Sequence, residues 1–239
     1  GLDAARRLGH SIVPTTPALA PLVLRADQSP AGAFADYSGL TCDLRMGLYE
    51  KSGKLLHEWT DSLLFTHFGV SGPLALNLSR HWLRARLERP EAEATLALGH
   101  PDLRSPQDAA AWIKRQTADH PKRTVARSLA ELFPERLAGA MAEGTETWAT
   151  LTKSARAELQ RRVSALPLPV VKDRGYTFAE TTAGGVDLRE VDPRTMESRL
   201  VPRLHIVGEM LDVDGRIGGF NFQWAWASGY LAGRAIVAS

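Results

Sequence analysis

The C-terminal stretch constrains the fold of this chain more than any other. It reads Leu204-His-Ile-Val207-Gly208-Glu209-Met-Leu-Asp212-Val-Asp214-Gly215-Arg-Ile-Gly218-Gly219-Phe220-Asn221-Phe-Gln223 and continues as an Ala/Gly-rich segment towards Ser239. The apolar start is expected to form a buried strand, the glycines with Glu209, Asp212 and Asp214 a turn, Gly218-Gly219 a second turn, and the rest a helix. The first N–H groups of a helix lack intrahelical partners and carry partial positive charge, so such a helix start suits a phosphate, a carboxylate or a ring carbonyl. Gly218 and Gly219 leave room for a flat ligand to approach the backbone. Glu209 and Asp212, at the end of the strand, are placed to accept hydrogen bonds from the hydroxyls of a nucleotide-type cofactor. The helix carries Ala225, Ala227, Gly229, Ala232, Gly233 and Ala235, so its backbone can lie close to a sheet or a cofactor. Each glycine costs about 1 kcal/mol of helix propensity relative to alanine, which close packing must offset. Gly229-x-x-x-Gly233 also fits a membrane-helix pairing pattern, but Gln223, Ser228 and Arg234 break the apolar run.

Upstream, the first ten residues, Gly1 to His10, read as the last turns of a helix closed by Gly9, and Pro14, Pro17 and Pro21 punctuate an extended segment. From Leu22 to about residue 98, short apolar runs alternate with turn signals such as Lys51-Ser-Gly-Lys54, the spacing of a small antiparallel β-barrel or sandwich. Between 105 and 164 the period becomes helical: Ala109, Trp112 and Ile113, then Val125, Leu129 and Leu132, then Leu137 and Met141. Ser105-Pro106 supplies an N-cap followed by proline at the first helical position. After Leu166-Pro-Leu-Pro169 β-like sequence returns, so a helical module interrupts a β domain.

The chain has 239 residues, with 29 Lys+Arg against 27 Asp+Glu, and the two signs are mixed along most of it. That balance argues against a nucleic-acid binder. A single cysteine, Cys42, excludes an internal disulfide framework and a cysteine metal cluster, so no metal is expected and a reducing, cytoplasmic compartment fits. No apolar run is long enough to span a bilayer.

The run Gly208-Glu-Met-Leu-Asp212-Val-Asp-Gly215-Arg-Ile-Gly-Gly219-Phe-Asn-Phe-Gln-Trp-Ala-Trp-Ala-Ser-Gly229 resembles the C-terminal signature of the HI0933-like, or aminoacetone-oxidase-like, NAD(P)/FAD-dependent oxidoreductases. Other stretches match that family in order. Phe65-Thr66-His67-Phe-Gly69-Val-Ser71-Gly72-Pro73 resembles its Phe-Thr-His-x-Gly-x-Ser-Gly-Pro motif. Ala179-Glu180-Thr181-Thr182-Ala-Gly184-Gly185-Val, with Glu190 and Thr195-Met196-Glu197-Ser198, resembles its Val-Thr-x-Gly-Gly-Val and Thr-Met-Glu-Ser block, with threonine in place of valine at 181. Gly9-His10 with Pro17-Ala-Leu19 and Pro21-Leu22 resembles its passage from the flavin domain into an inserted domain.

The resemblance implies a multidomain α+β protein. Residues 1–20 and 181–239 would be the remnant of a Rossmann-type FAD domain, contributing its C-terminal strand-helix segment. Residues 21–104 and 165–180 would form an inserted antiparallel β-barrel, and 105–164 a small helical module. It implies FAD as cofactor, with NAD(P)H as a candidate reductant and a small molecule as substrate. Thr182, Gly184, Gly185, Gly208, Glu209, Asp212, Gly218, Gly219, Phe220, Asn221 and Gln223 would lie around the flavin. The family opens with Gly-x-Gly-x-x-Gly, whose backbone N–H groups meet the pyrophosphate, and that motif is absent here. The expectation is therefore a fragment or a variant without the adenosine site. Its partner would be the missing N-terminal FAD-domain segment, and FAD binding by this chain alone would be weak or absent. His67 is the one candidate acid–base side chain, set against the reading of a loop histidine that braces its turn. Gly69-Val-Ser71-Gly72 lacks hydrolase-elbow spacing. The competing overall reading is a non-catalytic β-barrel and helical interaction module that carries relic flavin motifs.

Overall fold

A computed structural model of the chain describes residues 1–25, 34–142 and 144–238. Residues 26–33, where the sequence reads as β-rich, Glu143 and Ser239 lie outside the described residues. In chain order the elements are α1 (Leu2–Arg7), β1 (Ile12–Ala18), β2 (Leu22–Leu24), β3 (Thr41–Tyr49), β4 (Leu55–Thr66), β5 (Gly69–Ser71), α2 (Gly72–Glu88) and β6 (Thr95–Gly99). There follow α3 (Pro106–Asp119), α4 (Val125–Leu129), α5 (Glu135–Ala142), α6 (Lys153–Ala165), β7 (Leu166–Leu168), β8 (Val170–Asp173), β9 (Thr181–Val186) and α7 (Phe220–Ala238). They divide into two compact units, residues 1–20 with 174–239 and residues 21–173.

The 21–173 unit is built on a seven-stranded antiparallel sheet in the order β7-β6-β3-β4-β5-β2-β8. β3 and β4 pair along their length, Thr41 opposite Leu64 and Tyr49 opposite Leu55, around the Lys51–Lys54 turn, where Gly53 takes a φ of +86°. Leu44, Met46 and Leu48 on β3, with Leu63 and Phe65 on β4, alternate into the core. Leu74, Ala75, Leu78, Trp82 and Ala85 form the buried face of α2 at helical spacing. Ser105 caps α3 by accepting the Asp108 N–H at 3.1 Å, while Asp108 accepts the Ser105 N–H at 2.9 Å, a reciprocal capping box. The helices share one core with the sheet: Trp148 is fully buried, donates to Ser128 Oγ at 2.9 Å and stands edge-on to Trp112. Arg45, also buried, pairs with Glu58 at 2.8 Å and donates to the Ser164 carbonyl of α6.

The expected closed barrel is not what these strands show. The hydrogen-bonded order is open, and its two ends, β7 and β8, are consecutive in sequence, with only Pro169 between them. Leu166–Leu168 pairs with β6 and Val170–Asp173 with β2, so one extended stretch serves both edges with no ladder joining them. Residues 174–180, expected with the β domain, group with the other unit, where the Glu180 N–H donates to the Leu19 carbonyl at 3.3 Å and Tyr176 to Thr15 Oγ1 at 3.1 Å. The 105–164 helices are not a separate body, because their apolar faces are completed by the sheet.

In the other unit β1 and β9 form an antiparallel pair, Ile12 opposite Val186 and Ala18 opposite Thr181, with a bulge between Val13 and Thr16. Its core is Ala5, Val186, Val191, Met196, Ile206, Leu211 and Ala232, so α1 and α7 both contribute to it. Gly9 closes α1 at a φ of +94° with its N–H on the Arg6 carbonyl. Leu204–Val207 is not a strand: it makes one antiparallel bridge, Glu197 to His205, and its apolar residues pack beside Ala5 instead. Among the described residues no second extended segment runs beside it to complete a ladder. No described helix is long and apolar enough to cross a membrane.

Candidate functional site

The start of α7 opens onto a cleft of about 160 Å³ whose lining includes Glu209, Arg216, Gly218, Gly219, Asn221 and Trp224, together with Leu19, Glu180 and Thr181. The turn Gly208–Met210 is pinned to α7 from both sides. The Gly208 N–H donates to Ser228 Oγ at 3.0 Å, and the Gly208 carbonyl accepts Trp224 Nε1–H at 3.1 Å. Ser228 is fully buried and donates to the Trp224 carbonyl, so its hydroxyl ties the turn to the α7 backbone. Asn221 holds Gly215 by both backbone groups, accepting its N–H at 2.7 Å and donating to its carbonyl at 3.3 Å. That fixes the loop carrying Arg216, whose guanidinium stands 4.6 Å from the Phe220 ring centre.

The start of α7 brings partial positive charge to a lining that also carries Arg216 and the carboxylates of Glu180 and Glu209. The first intrahelical bond of α7 runs from the Gln223 N–H to the Gly219 carbonyl, so the N–H groups before it have no helical acceptor. No acidic side chain occupies that first turn to neutralise them. Gly219 has a φ of +87°, and nothing lies within 4 Å of where a Cβ would stand. A planar group can therefore lie against the backbone there.

Of the residues expected around a flavin, Glu209, Gly218, Gly219 and Asn221 line this cleft. Thr182 reaches it through Glu209, whose carboxylate accepts the Thr182 N–H at 2.6 Å. One acceptor site of the Glu209 carboxylate is thus engaged, and its remaining lone pairs are available to a ligand hydroxyl. Gly208 supports the turn from beneath. Gly184 and Gly185 play a different part from the one expected: a Cβ on Gly184 would stand 2.5 Å from the Pro14 carbonyl oxygen, and one on Gly185 2.7 Å from that of Met210. These glycines let three backbone segments cross closely and do not face the cleft. Asp212 spends its N–H on the Val186 carbonyl at 3.0 Å and does not line the cleft. Phe220 and Gln223 are exposed outside it. The sequence reasoning missed Arg216, Glu180 and Leu19. Arg216 lies two residues before the glycine pair, Glu180 directly before Thr181-Thr182, and Leu19 within the Pro17-Ala-Leu19 stretch, and that nearness was the available signal.

His67 is exposed on the β4–β5 turn of the 21–173 unit, its ring against Phe68. The motif around it is architectural. The Gly69 N–H donates to Thr66 Oγ1 at 3.2 Å, and a Cβ on Gly69 would stand 2.2 Å from the Leu22 carbonyl oxygen. Ser71 leads into α2, and Pro73 sits in its first turn. Cys42 lies half-buried on β3, where burial first and Asp43 second push its thiol up to about 11, away from nucleophilic chemistry. Among the described residues no group of three His, Cys, Asp or Glu could hold a metal ion.

The family model described as HI0933-like protein Rossmann domain matches residues 1–235. A ribosomal RNA dihydrouridine synthase of Escherichia coli K12 is 32% identical over 247 residues, covering 100% of this chain and 56% of that protein. A 3-dehydro-bile acid delta(4,6)-reductase of Clostridium scindens is 32% identical over 244 residues, covering 98% of this chain and 57% of that protein. The chain thus spans a little over half the length of the curated relatives it matches. It belongs to the HI0933-like family, a flavoprotein-type oxidoreductase family.

Proposed function

We propose that this chain is the ring-holding part of an FAD-dependent oxidoreductase. The observation that carries the reading is the start of α7: N–H groups without a helical acceptor, no acidic residue in the first turn, and Gly219 open to a flat ligand within a cleft that Arg216 also lines. At about 160 Å³ the cleft suits part of a dinucleotide and is too small for a whole one. Bound there, a flavin would supply hydride chemistry, and the protein would supply orientation and electrostatics. The α7 start and Arg216 would favour a ring whose carbonyl edge gains negative charge. The Glu209 carboxylate would take a ribityl hydroxyl, and Leu19 and Trp224 would shed water from the face they line.

The phosphate and adenosine end would come from a further segment of the parent polypeptide. Phe222 and Trp226, each 69% exposed, and Tyr230, 64% exposed, follow one another at helical spacing on α7. Gly229 and Gly233 beside them have nothing within 4 Å of a Cβ position. That apolar, small-residue face is what a Rossmann sheet would cover. In the same reading β7 and β8 meet at Pro169 as the corner of a barrel-like insert.

The substrate would be a small molecule with a carbon–carbon double bond conjugated to a carbonyl. A dihydrouridine is a uridine whose ring double bond has been reduced, and a delta(4,6)-reductase is named for ring double bonds, so both relatives' names point to that bond type. The rRNA in one name makes a base in RNA the second substrate reading. The test uses the full-length protein. It should purify with a flavin absorbance band, bleach with NADH or NADPH, and recover its colour when a conjugated enone is added without oxygen. Recovery with uridine-containing RNA alone would select the second reading. No flavin after reconstitution with excess FAD would sink the proposal.

A further inference from the structure

A buried hydrogen-bonded chain in the 1–20/174–238 unit lies outside the cleft lining and has no part in the proposed chemistry. His10, whose side chain is fully buried, has Nδ1 2.9 Å from Glu190 Oε2 and Nε2 2.9 Å from Ser198 Oγ. Ser198 Oγ also accepts the N–H groups of Leu200 at 3.1 Å and Val201 at 2.9 Å. A serine hydroxyl has one hydrogen to give and two acceptor sites. Backbone N–H groups fill both acceptor sites, so the hydroxyl hydrogen points at His10 Nε2. The ring hydrogen is then on Nδ1 and is donated to Glu190. Hydrogen bonds from Ser11 first, and then from His10, hold the Glu190 carboxyl below the usual range against the opposing effect of burial, keeping it an acceptor.

The connectivity is that of a Ser-His-acid triad, but the chemistry is not. A nucleophile needs an accessible oxygen with a free lone pair, and Ser198 is 6% exposed with both lone pairs engaged.

The chain of bonds instead joins the segments that frame the cleft. Glu190 Oε2 accepts the Ser11 N–H at 2.9 Å, and the Asp187 N–H donates to the Ser11 carbonyl at 3.1 Å, which locks the start of β1 to the turn after β9. Ser198 sits in a loop bonded to the segment that leads into Gly208. Its own N–H donates to the Leu204 carbonyl at 2.7 Å, and the Met196 carbonyl accepts the Ile206 N–H at 2.9 Å. Between these two anchorages the end of β9 meets the Gly208–Asp212 turn, where Val186 pairs with Leu211.

We infer that His10 is a positioning residue for the cleft: bonded through both ring nitrogens, it sets the spacing between β9 and the Gly208–Asp212 turn, and hence the placement of Glu209 before α7. Only the identity of what the cleft holds rests on the flavin reading.

The test needs no flavin. Imidazole nitrogen NMR of the 239-residue chain should show His10 with its hydrogen on Nδ1. Amide hydrogen exchange should then accelerate about tenfold or more at Asp212 and Thr182 in Ser198→Ala and His10→Ala, with β3 and β4 amides unchanged and with recovery in Ser198→Thr. Glu190→Gln, which keeps the acceptor and the shape, serves if the alanine variants do not fold, with a smaller rise confined to the same two amides. A hydrogen on Nε2, unchanged exchange at Asp212 and Thr182, or a uniform rise through the whole unit would each overturn the inference. A full-length protein that takes no flavin while this exchange pattern holds would overturn the flavin reading and leave the relay standing.

Discussion

In the 21–173 unit Met46, Phe65, Trp82, Trp112 and Trp148 meet in one apolar core that sheet and helices build together. In the other unit the buried apolar side chains are mostly small or medium-sized. There the backbone itself crosses closely at Gly184 and Gly185, and α7 turns large apolar side chains outward. The first unit stabilises its fold by burying side chains. The second depends on backbone fit, and its energetics are therefore set by positions without side chains.

That contrast can be broken by experiment, beginning where the effect is largest. Trp148→Ala removes a fully buried ring and its bond to Ser128, and should cost about 3–5 kcal/mol in urea unfolding of the 21–173 unit. A loss below about 1 kcal/mol would mean that this core is not close-packed. Gly185→Ala, at a φ of +146° with the Met210 carbonyl 2.7 Å from the new methyl group, should cost about 1–3 kcal/mol and lower only the transition of its own unit. A neutral result would show that the backbone crossing is slack.

The smallest effect sharpens the comparison through pH. His57 and His81 stack with ring centres 4.0 Å apart, and burial first, then His57 and Arg80, lower His81 from 6.5 to about 4. The unfolded chain takes up this proton as pH falls through 6.5, whereas the folded chain resists until about 4. The stabilisation is thus complete above pH 6.5 and is lost between 6.5 and about 4. Scanning calorimetry should show the melting temperature of the 21–173 unit falling through that window, with a shallower fall in His81→Phe. An unchanged slope in that variant would remove His81 as the cause.

Local signals were the ones the sequence carried. The Ser105–Asp108 cap, the Lys51–Lys54 turn and the helical run of α7 each lie within a few residues of one another, so propensity and spacing suffice to find them. The cleft was half legible for the same reason: Gly218, Gly219 and Asn221 belong to one short run, whereas Leu19 and Glu180 arrive through the pairing of β1 with β9. The close backbone crossing at Gly184 and Gly185 was not legible, because what crowds them is Pro14 and Met210, distant in sequence. Likewise His10, Glu190 and Ser198 come together across separations of 180 and 188 positions, which no periodicity announces.

The two ends of the seven-stranded sheet bear on how this protein behaves in a crowd of its own copies. β7 is three residues long with Pro167 at its centre, and β8 is four residues long and carries the exposed Lys172. A copy offered either edge finds a template too short to extend, with a missing donor on one side and a charge on the other. Edge-to-edge stacking into fibrous aggregates is thereby discouraged at this sheet, and the brevity of its outermost strands acts as a guard on solubility.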